Sequence, residues 1–256
     1  MKNRFCVWIF KDTMLFVAIL YIASCTHYGC IEGNCYSGKG KLTLSAGDVY
    51  EGEWQNGLLN GWGNHIGPNG INYEGEWQNG EYNGKGTLTS TKGPLKGFLY
   101  RGEFKKGLLN GSGAWIGPDG VTYAEGKYKD GVMHGWGTVL FQNGAKYQGE
   151  WKDGKRTGLG KITFYDGSTY EGEWRDDNFS GRGIHRWADG EKYEGEWKDS
   201  KRNGWGINVW ADGEKHEGEF ANNMMHGQGT RISPNGIIIK GVWINNEFVK
   251  PIQSAR

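Results

Sequence analysis

The chain has 256 residues, among them 46 glycines, 13 tryptophans and 13 tyrosines but only 5 prolines, and its formal charge is +1. So much glycine beside so many aromatic rings excludes both a flexible linker and a globule with an aliphatic core, and points to a fold that buries Tyr and Trp. Near-neutrality without a basic stripe removes the electrostatic case for nucleic acid.

The chain opens with Lys2, Arg4 and Lys11, followed by the apolar run Met14–Ile22 and then Ala23-Ser24-Cys25. That run is too short to span a bilayer, and a charged start with small residues after the run predicts a secretory signal peptide over residues 1–24. The stretch Ile22-Ala23-Ser24-Cys25 resembles a bacterial lipobox, which implies an acylated Cys25 as the membrane anchor. Thr26 after it fits outer-membrane sorting in an enteric-type host. An ordinary signal peptide and an uncleaved anchor are the alternatives. All four cysteines lie in the first 35 residues. Export would place Cys30 and Cys35 in an oxidising compartment, where they are expected to pair. Residues 25–49 then form a lipid-attachment and N-terminal cap segment with a half repeat.

From residue 50 the chain repeats itself. The leading residues are Tyr50, Tyr73, Tyr100, Tyr123, Tyr147, Tyr170 and Tyr193, followed by His216 and Ile239. The usual step is about 23 residues. Pro94–Gly97 lengthen one step, and the inserted residue in Tyr123–Tyr128 predicts a β-bulge. In Tyr50-Glu51-Gly52-Glu53-Trp54 the period of two puts Tyr, Gly and Trp on one face and both glutamates on the other. The same face is expected from Tyr73, Gly75 and Trp77, from Tyr147, Gly149 and Trp151, from Tyr170, Gly172 and Trp174, and from Tyr193, Gly195 and Trp197. The glycine leaves a slot for an aromatic ring from a neighbouring strand.

Asn56-Gly57, Asn79-Gly80 and Asp153-Gly154 open short hairpin loops. Asp177, Ser200 and Asn223 replace the loop glycine in later units, and the serine predicts a shifted turn. Each unit closes on a Gly-x-Gly pair, as at Gly61 and Gly63. Residues 50–238 thus hold eight units, and 239–256 a half unit and cap. The apolar strand Ile237–Trp243 is expected to be covered by the tail at Lys250-Pro251, with edge-to-edge dimerisation as the alternative.

Tyr-x-Gly-x-Trp, a glycine three residues later and then Gly-x-Gly, every 23 residues or so, resembles the MORN repeat over residues 36–248. The resemblance implies an all-β fold, a single elongated twisted antiparallel sheet of successive β-hairpins, used as a scaffold, a dimerisation surface or a membrane-associated module. Phe104, Tyr128 and Phe220 stand where the pattern has Trp, and His216 and Ile239 where it has Tyr.

The repeat also removes tempting sites. Glu51 and Glu53 have a separation near that of glycosidase carboxylates, about 6.5 Å. Such pairs recur from unit to unit, whereas catalysis needs one distinctive environment, so they read as solvated residues meeting Lys and Arg across strands. On that reading Glu173→Gln is nearly silent and Gly172→Val is costly. Gly33–Gly40 falls short of a phosphate loop, because Gly40 stands where Ser or Thr must hold magnesium. His134 and His226 precede the Gly-x-Gly pair where other units have Asn60, Asn83, Asn110 and Asn203, which suggests positive-φ turn chemistry. Asn178-Phe179-Ser180 fits a glycosylation sequon only in a eukaryotic secreted setting. No catalytic, metal or cofactor residue is expected.

The expected function is a non-enzymatic exported scaffold, lipid-anchored at a bacterial cell envelope, that binds other proteins or itself. Direct binding of lipid headgroups by the sheet is the alternative, and a carbohydrate-active enzyme the remote one.

Overall fold

The computed structural model describes residues 29–252. The proposed signal segment and Cys25 lie outside the described residues. The chain divides into two compact units, Met1–Val139 and Leu140–Arg256. The first holds β1 (Cys30–Gly33), β2 (Ser37–Thr43), β3 (Val49–Gln55), β4 (Leu58–Ile66), β5 (Ile71–Gln78), β6 (Glu81–Ser90), β7 (Leu99–Lys105), β8 (Leu108–Ile116), β9 (Thr122–Lys129) and β10 (Val132–Leu140). Each pairs antiparallel with the next. A 3₁₀ turn at Gly93–Leu95 fills the lengthened connection between β6 and β7.

The second unit holds β11 (Lys146–Lys152), β12 (Lys155–Thr163), β13 (Thr169–Arg175), β14 (Asn178–Arg186), β15 (Lys192–Lys198), β16 (Lys201–Val209), β17 (Lys215–Ala221), β18 (Met224–Ile232), β19 (Ile238–Ile244) and β20 (Glu247–Pro251). These also pair in chain order, all antiparallel. The all-β class of successive hairpins is therefore as expected. β20 covers the edge of β19, with Gly241 opposite Pro251.

Glycines form an in-register row across each unit. In the second unit Gly149, Gly160, Gly172, Gly183, Gly195, Gly206, Gly218, Gly229 and Gly241 face one another strand after strand. The reason is a close approach: a Cβ on Gly195 would lie 2.5 Å from the Cα of Gly206 and 2.6 Å from the Tyr193 hydroxyl. The ring filling the slot therefore comes from the glycine's own strand, not from a neighbour as the alternation suggested. Tyr193 and Trp197 are four residues apart, about 13 Å along an extended strand. Their ring centroids are nevertheless 5.0 Å apart, edge to face. Tyr73 and Trp77 likewise close to 5.5 Å over Gly75.

Every first-strand turn is of the primed kind that matches strand twist. Asn56 and Gly57 have φ of 53° and 76°. Ser200, at φ 60° after Asp199 at 50°, keeps the same turn, so the expected shift does not occur. The serine is held because its Oγ accepts the Phe179 N–H while its own N–H donates to the Phe179 carbonyl. Asp177, Asn223 and Asn246 make the same two-way staple to Arg156, Arg202 and Met225.

The inserted residue behaves as a bulge. Register slips between Trp115 and Ile116, so Ala124, 1 % exposed, takes the leading place on the inner face. Tyr123, read from spacing as the leading residue, is displaced outward and donates to Asp119 at 2.9 Å.

Candidate functional site

The inner face is filled by the protein itself. Tyr50, Tyr73, Tyr147, Tyr170, Tyr193, Trp54, Trp77, Trp151, Trp174 and Trp197 are all buried. Four of the tyrosines are satisfied along the chain: the Tyr73 hydroxyl donates to the Glu76 carbonyl at 2.8 Å, and Tyr147, Tyr170 and Tyr193 donate likewise to Glu150, Glu173 and Glu196. The indole of Trp77 donates across to the Gly63 carbonyl at 2.9 Å, and Trp54, Trp174 and Trp197 repeat the contact at Gly40, Gly160 and Gly183. Burial first, then the Asp48 charge, pushes the Tyr50 hydroxyl up to about 12.

Polar residues interrupt this aromatic layer at defined places. His65 stacks on Tyr50 at 4.5 Å and bonds Tyr82 at 2.6 Å and Asp48 at 2.8 Å. His216, which stands where the pattern has Tyr, is fully buried and lies edge to face against Phe220 and Trp243. Burial, helped by the Arg231 charge, pulls its pKa down to about 4. Burial does the same to His185, with Asp166 opposing. Ile239, by contrast, is exposed.

The outer face separates the two glutamates of each unit. The first meets lysine as expected, with Lys41–Glu51 and Lys161–Glu171 both at 3.4 Å. The second does something the sequence reading missed. Between Gly172 and Glu173 the register slips, leaving the second strand with surplus residues opposite Glu173. The Glu173 carboxylate fills that gap by accepting the Arg182 N–H at 2.8 Å, and Glu76 and Glu150 repeat this at Lys85 and Leu159. Glu173 is thus not the purely solvated residue the alternation implied, and Gln, which keeps an acceptor oxygen there, is a milder change than Ala. The positive φ of the bulge falls on the glycine, +54° at Gly181, where a Cβ would strike the carboxylate. His134, His226 and their asparagine counterparts precede it without positive φ, so turn chemistry does not account for them.

Standing on this outer face are Trp62, Trp136 and Trp205, each about half exposed, with Leu159 at the equivalent place. They occupy the middle of Gly-x-Gly. Trp62 stands opposite Glu76, and Trp205 opposite Glu219. Their parity in the strand, opposite to that of the glycines, was the available signal. At the N-terminal edge Cys30 and Cys35 are disulfide-bonded, with Cα atoms 5.9 Å apart. Among the described residues no cluster of three or more His, Cys, Asp or Glu is arranged to hold a metal ion.

The MORN repeat family matches residues 50–71, 73–94, 100–122, 125–146, 147–169, 170–192, 193–215 and 216–238, which is more than half of the chain. No curated protein matches it. Similar solved structures include the TCP domain of Drosophila melanogaster SAS-4 (dCPAP) in complex with a proline-rich motif of Ana2 (dSTIL). It is 14 % identical, with 68 % of this chain and 86 % of that one covered, at a TM-score of 0.30. The TCP10 domain of Danio rerio CPAP in complex with a peptide of STIL is also 14 % identical, covering 80 % and 94 %, at a TM-score of 0.31. Likenesses this distant carry no argument about function.

Proposed function

The chain belongs to the MORN-repeat family, and from that premise we propose that it is a non-enzymatic repeat scaffold that binds a protein partner through its outer face. The observation that carries this reading is the contrast between the faces. The inner rings are spent on one another, whereas Trp62, Trp136 and Trp205 keep about half their surface in water, with the backbone N–H of Trp62 and Trp205 held by the bulge glutamates Glu53 and Glu196. Exposed aromatic side chains on a rigid surface are the commonest anchors of protein interfaces. An oligomer of the chain itself would use the same anchors.

We further propose that the protein works outside the cytoplasm of a bacterium, held at the envelope by an acyl group on Cys25. The charged and apolar leader supports export, and the Cys30–Cys35 disulfide supports an oxidising compartment. Acyl chains contribute about 0.8 kcal/mol per buried methylene, so more than one chain is needed for stable attachment. Labelling with a palmitate analogue should mark the parent and not Cys25→Ser; an unlabelled parent rules the anchor out.

The interaction reading is tested by crosslinking capture from native membranes with the full chain and with a Trp62→Ser/Trp136→Ser/Trp205→Ser variant. Loss of the captured species in the folded variant is expected, and undiminished capture refutes the outer-face assignment. Pelleting of the unlipidated chain with anionic liposomes would instead favour headgroup binding.

A further inference from the structure

In the first unit the hairpin turns β7–β8 and β9–β10 flank an open hollow of about 540 Å³. Leu108 contributes its apolar part over the buried Tyr128, and Lys105, Lys106 and Lys129 stand around it with Asp130 as the only acidic lining residue. All three lysines are exposed, and among the described residues none is within ion-pair distance of a carboxylate. Lys105 and Lys129 hold the same strand-end place as Lys152, Arg175 and Lys198 in the second unit, which are likewise exposed, so what sets this hollow apart is the added charge of Lys106.

Lys106 is the second observation. It sits at the first turn position with φ 51°, where all eight corresponding turns have Asn or Asp: Asn56, Asn79, Asp130, Asp153, Asp176, Asp199, Asn222 and Asn245. Lysine has none of the local hydrogen bonding that eases a left-handed backbone, so its presence costs stability at a place where the repeat has a better residue. A strained residue next to unpaired like charges around an apolar hollow is the arrangement expected where a ligand is met.

We propose that this hollow is a docking site for an acidic peptide segment of a partner protein, one that sets an apolar side chain on Leu108 and its carboxylates among the three lysines. It deepens the interaction reading by giving the chemistry of a partner, at a place separate from the outer tryptophans. Exposed lysines act as hydrated point charges, so a bare anion would gain little here. A peptide gains apolar burial as well as charge complementarity. A neutral peptide would leave three like charges crowded around its bound face.

The test uses the full chain and a fluorescein-labelled peptide, Glu-Glu-Leu-Phe-Glu-Glu, read by anisotropy beside its Gln-Gln-Leu-Phe-Gln-Gln counterpart. Saturable binding of the acidic peptide alone is expected, weakening on the order of tenfold from low to physiological salt. Lys106→Asn should raise the denaturation midpoint and yet weaken binding, whereas Lys152→Asn, at a strand end in the second unit, should leave peptide binding unchanged. Equal binding of both peptides, unaltered binding by Lys106→Asn, or full competition by inorganic phosphate would overturn the proposal. Stronger binding to phosphatidylserine vesicles than to the peptide would assign the hollow to a membrane instead. Failure here with capture through Trp205 intact would leave the outer-face reading standing.

Discussion

Replacing Gly183 by alanine isolates what the glycine row does. Gly183 has no positive φ, so its backbone suits alanine, but the added Cβ would lie 2.6 Å from two ring carbons of Tyr170 and closer still to its hydroxyl. Tyr170 is fully buried and stacked on Phe179 at 3.7 Å, so the ring cannot step aside. Overpacking of this kind costs about 1–3 kcal/mol, and the lost hydroxyl bond to the Glu173 carbonyl adds about 1 kcal/mol. The total is about 2–4 kcal/mol. Gly190 is the reciprocal control: its φ is +97° but nothing lies within 4 Å of an added Cβ, so Gly190→Ala carries only backbone strain of about 1 kcal/mol. Urea denaturation followed by tryptophan fluorescence measures both. In a Tyr170→Ala background the clash has no partner, so Gly183→Ala should then add little, giving a coupling energy of about 2–4 kcal/mol. Gly183→Ala costing no more than Gly190→Ala, or purely additive double variants, would refute the ring-over-glycine account.

Removing the bulge carboxylate by Glu173→Ala strands the Arg182 N–H and should cost about 1 kcal/mol, whereas Glu171→Ala loses only an exposed lysine contact and should stay within about 0.5 kcal/mol. Equal denaturation midpoints for the two would count against it. Tyr82→Phe takes a buried hydroxyl from His65 and should cost about 1–2 kcal/mol, which thermal denaturation can check against Tyr36→Phe at an exposed site. Because His216 and His185 titrate near 4 when folded and 6.5 when unfolded, the unfolded chain binds the extra protons in that window. Stability is therefore full above pH 6.5 and falls toward pH 4, by up to about 3 kcal/mol per histidine, and His216→Phe should flatten part of the decline in a pH series of urea midpoints.

The hairpin unit, its turns and the Tyr-Gly-Trp face were legible because they are local: alternation sets the face, and Asn-Gly or Asp-Gly sets the turn. What sequence hid lies in contacts between strands. Gly172 facing Gly183, and Tyr170 lying over both, requires the pairing register, which alternation within one strand does not contain. The bulge that sets Glu173 apart from Glu171 arises from surplus residues opposite it, so the two glutamates look alike until the partner strand is in place. Ser200 misled for a related reason, since the Phe179 backbone that holds it lies 21 positions earlier in the chain. The exposed tryptophans were more nearly visible: the middle of Gly-x-Gly has outward parity, and a tryptophan there at Trp62, Trp136 and Trp205 is a poor choice for a surface without a partner.

Oxidative footprinting of tryptophan in the full chain, alone and with its crosslink-captured partner bound, tests the central claim most directly. The account predicts that Trp62, Trp136 and Trp205 react in the free protein and are protected together or in part by the partner, while Trp54, Trp77, Trp174 and Trp197 stay unreactive in both states. Protection confined to other surfaces, with the three outer tryptophans equally reactive in the complex, would contradict it.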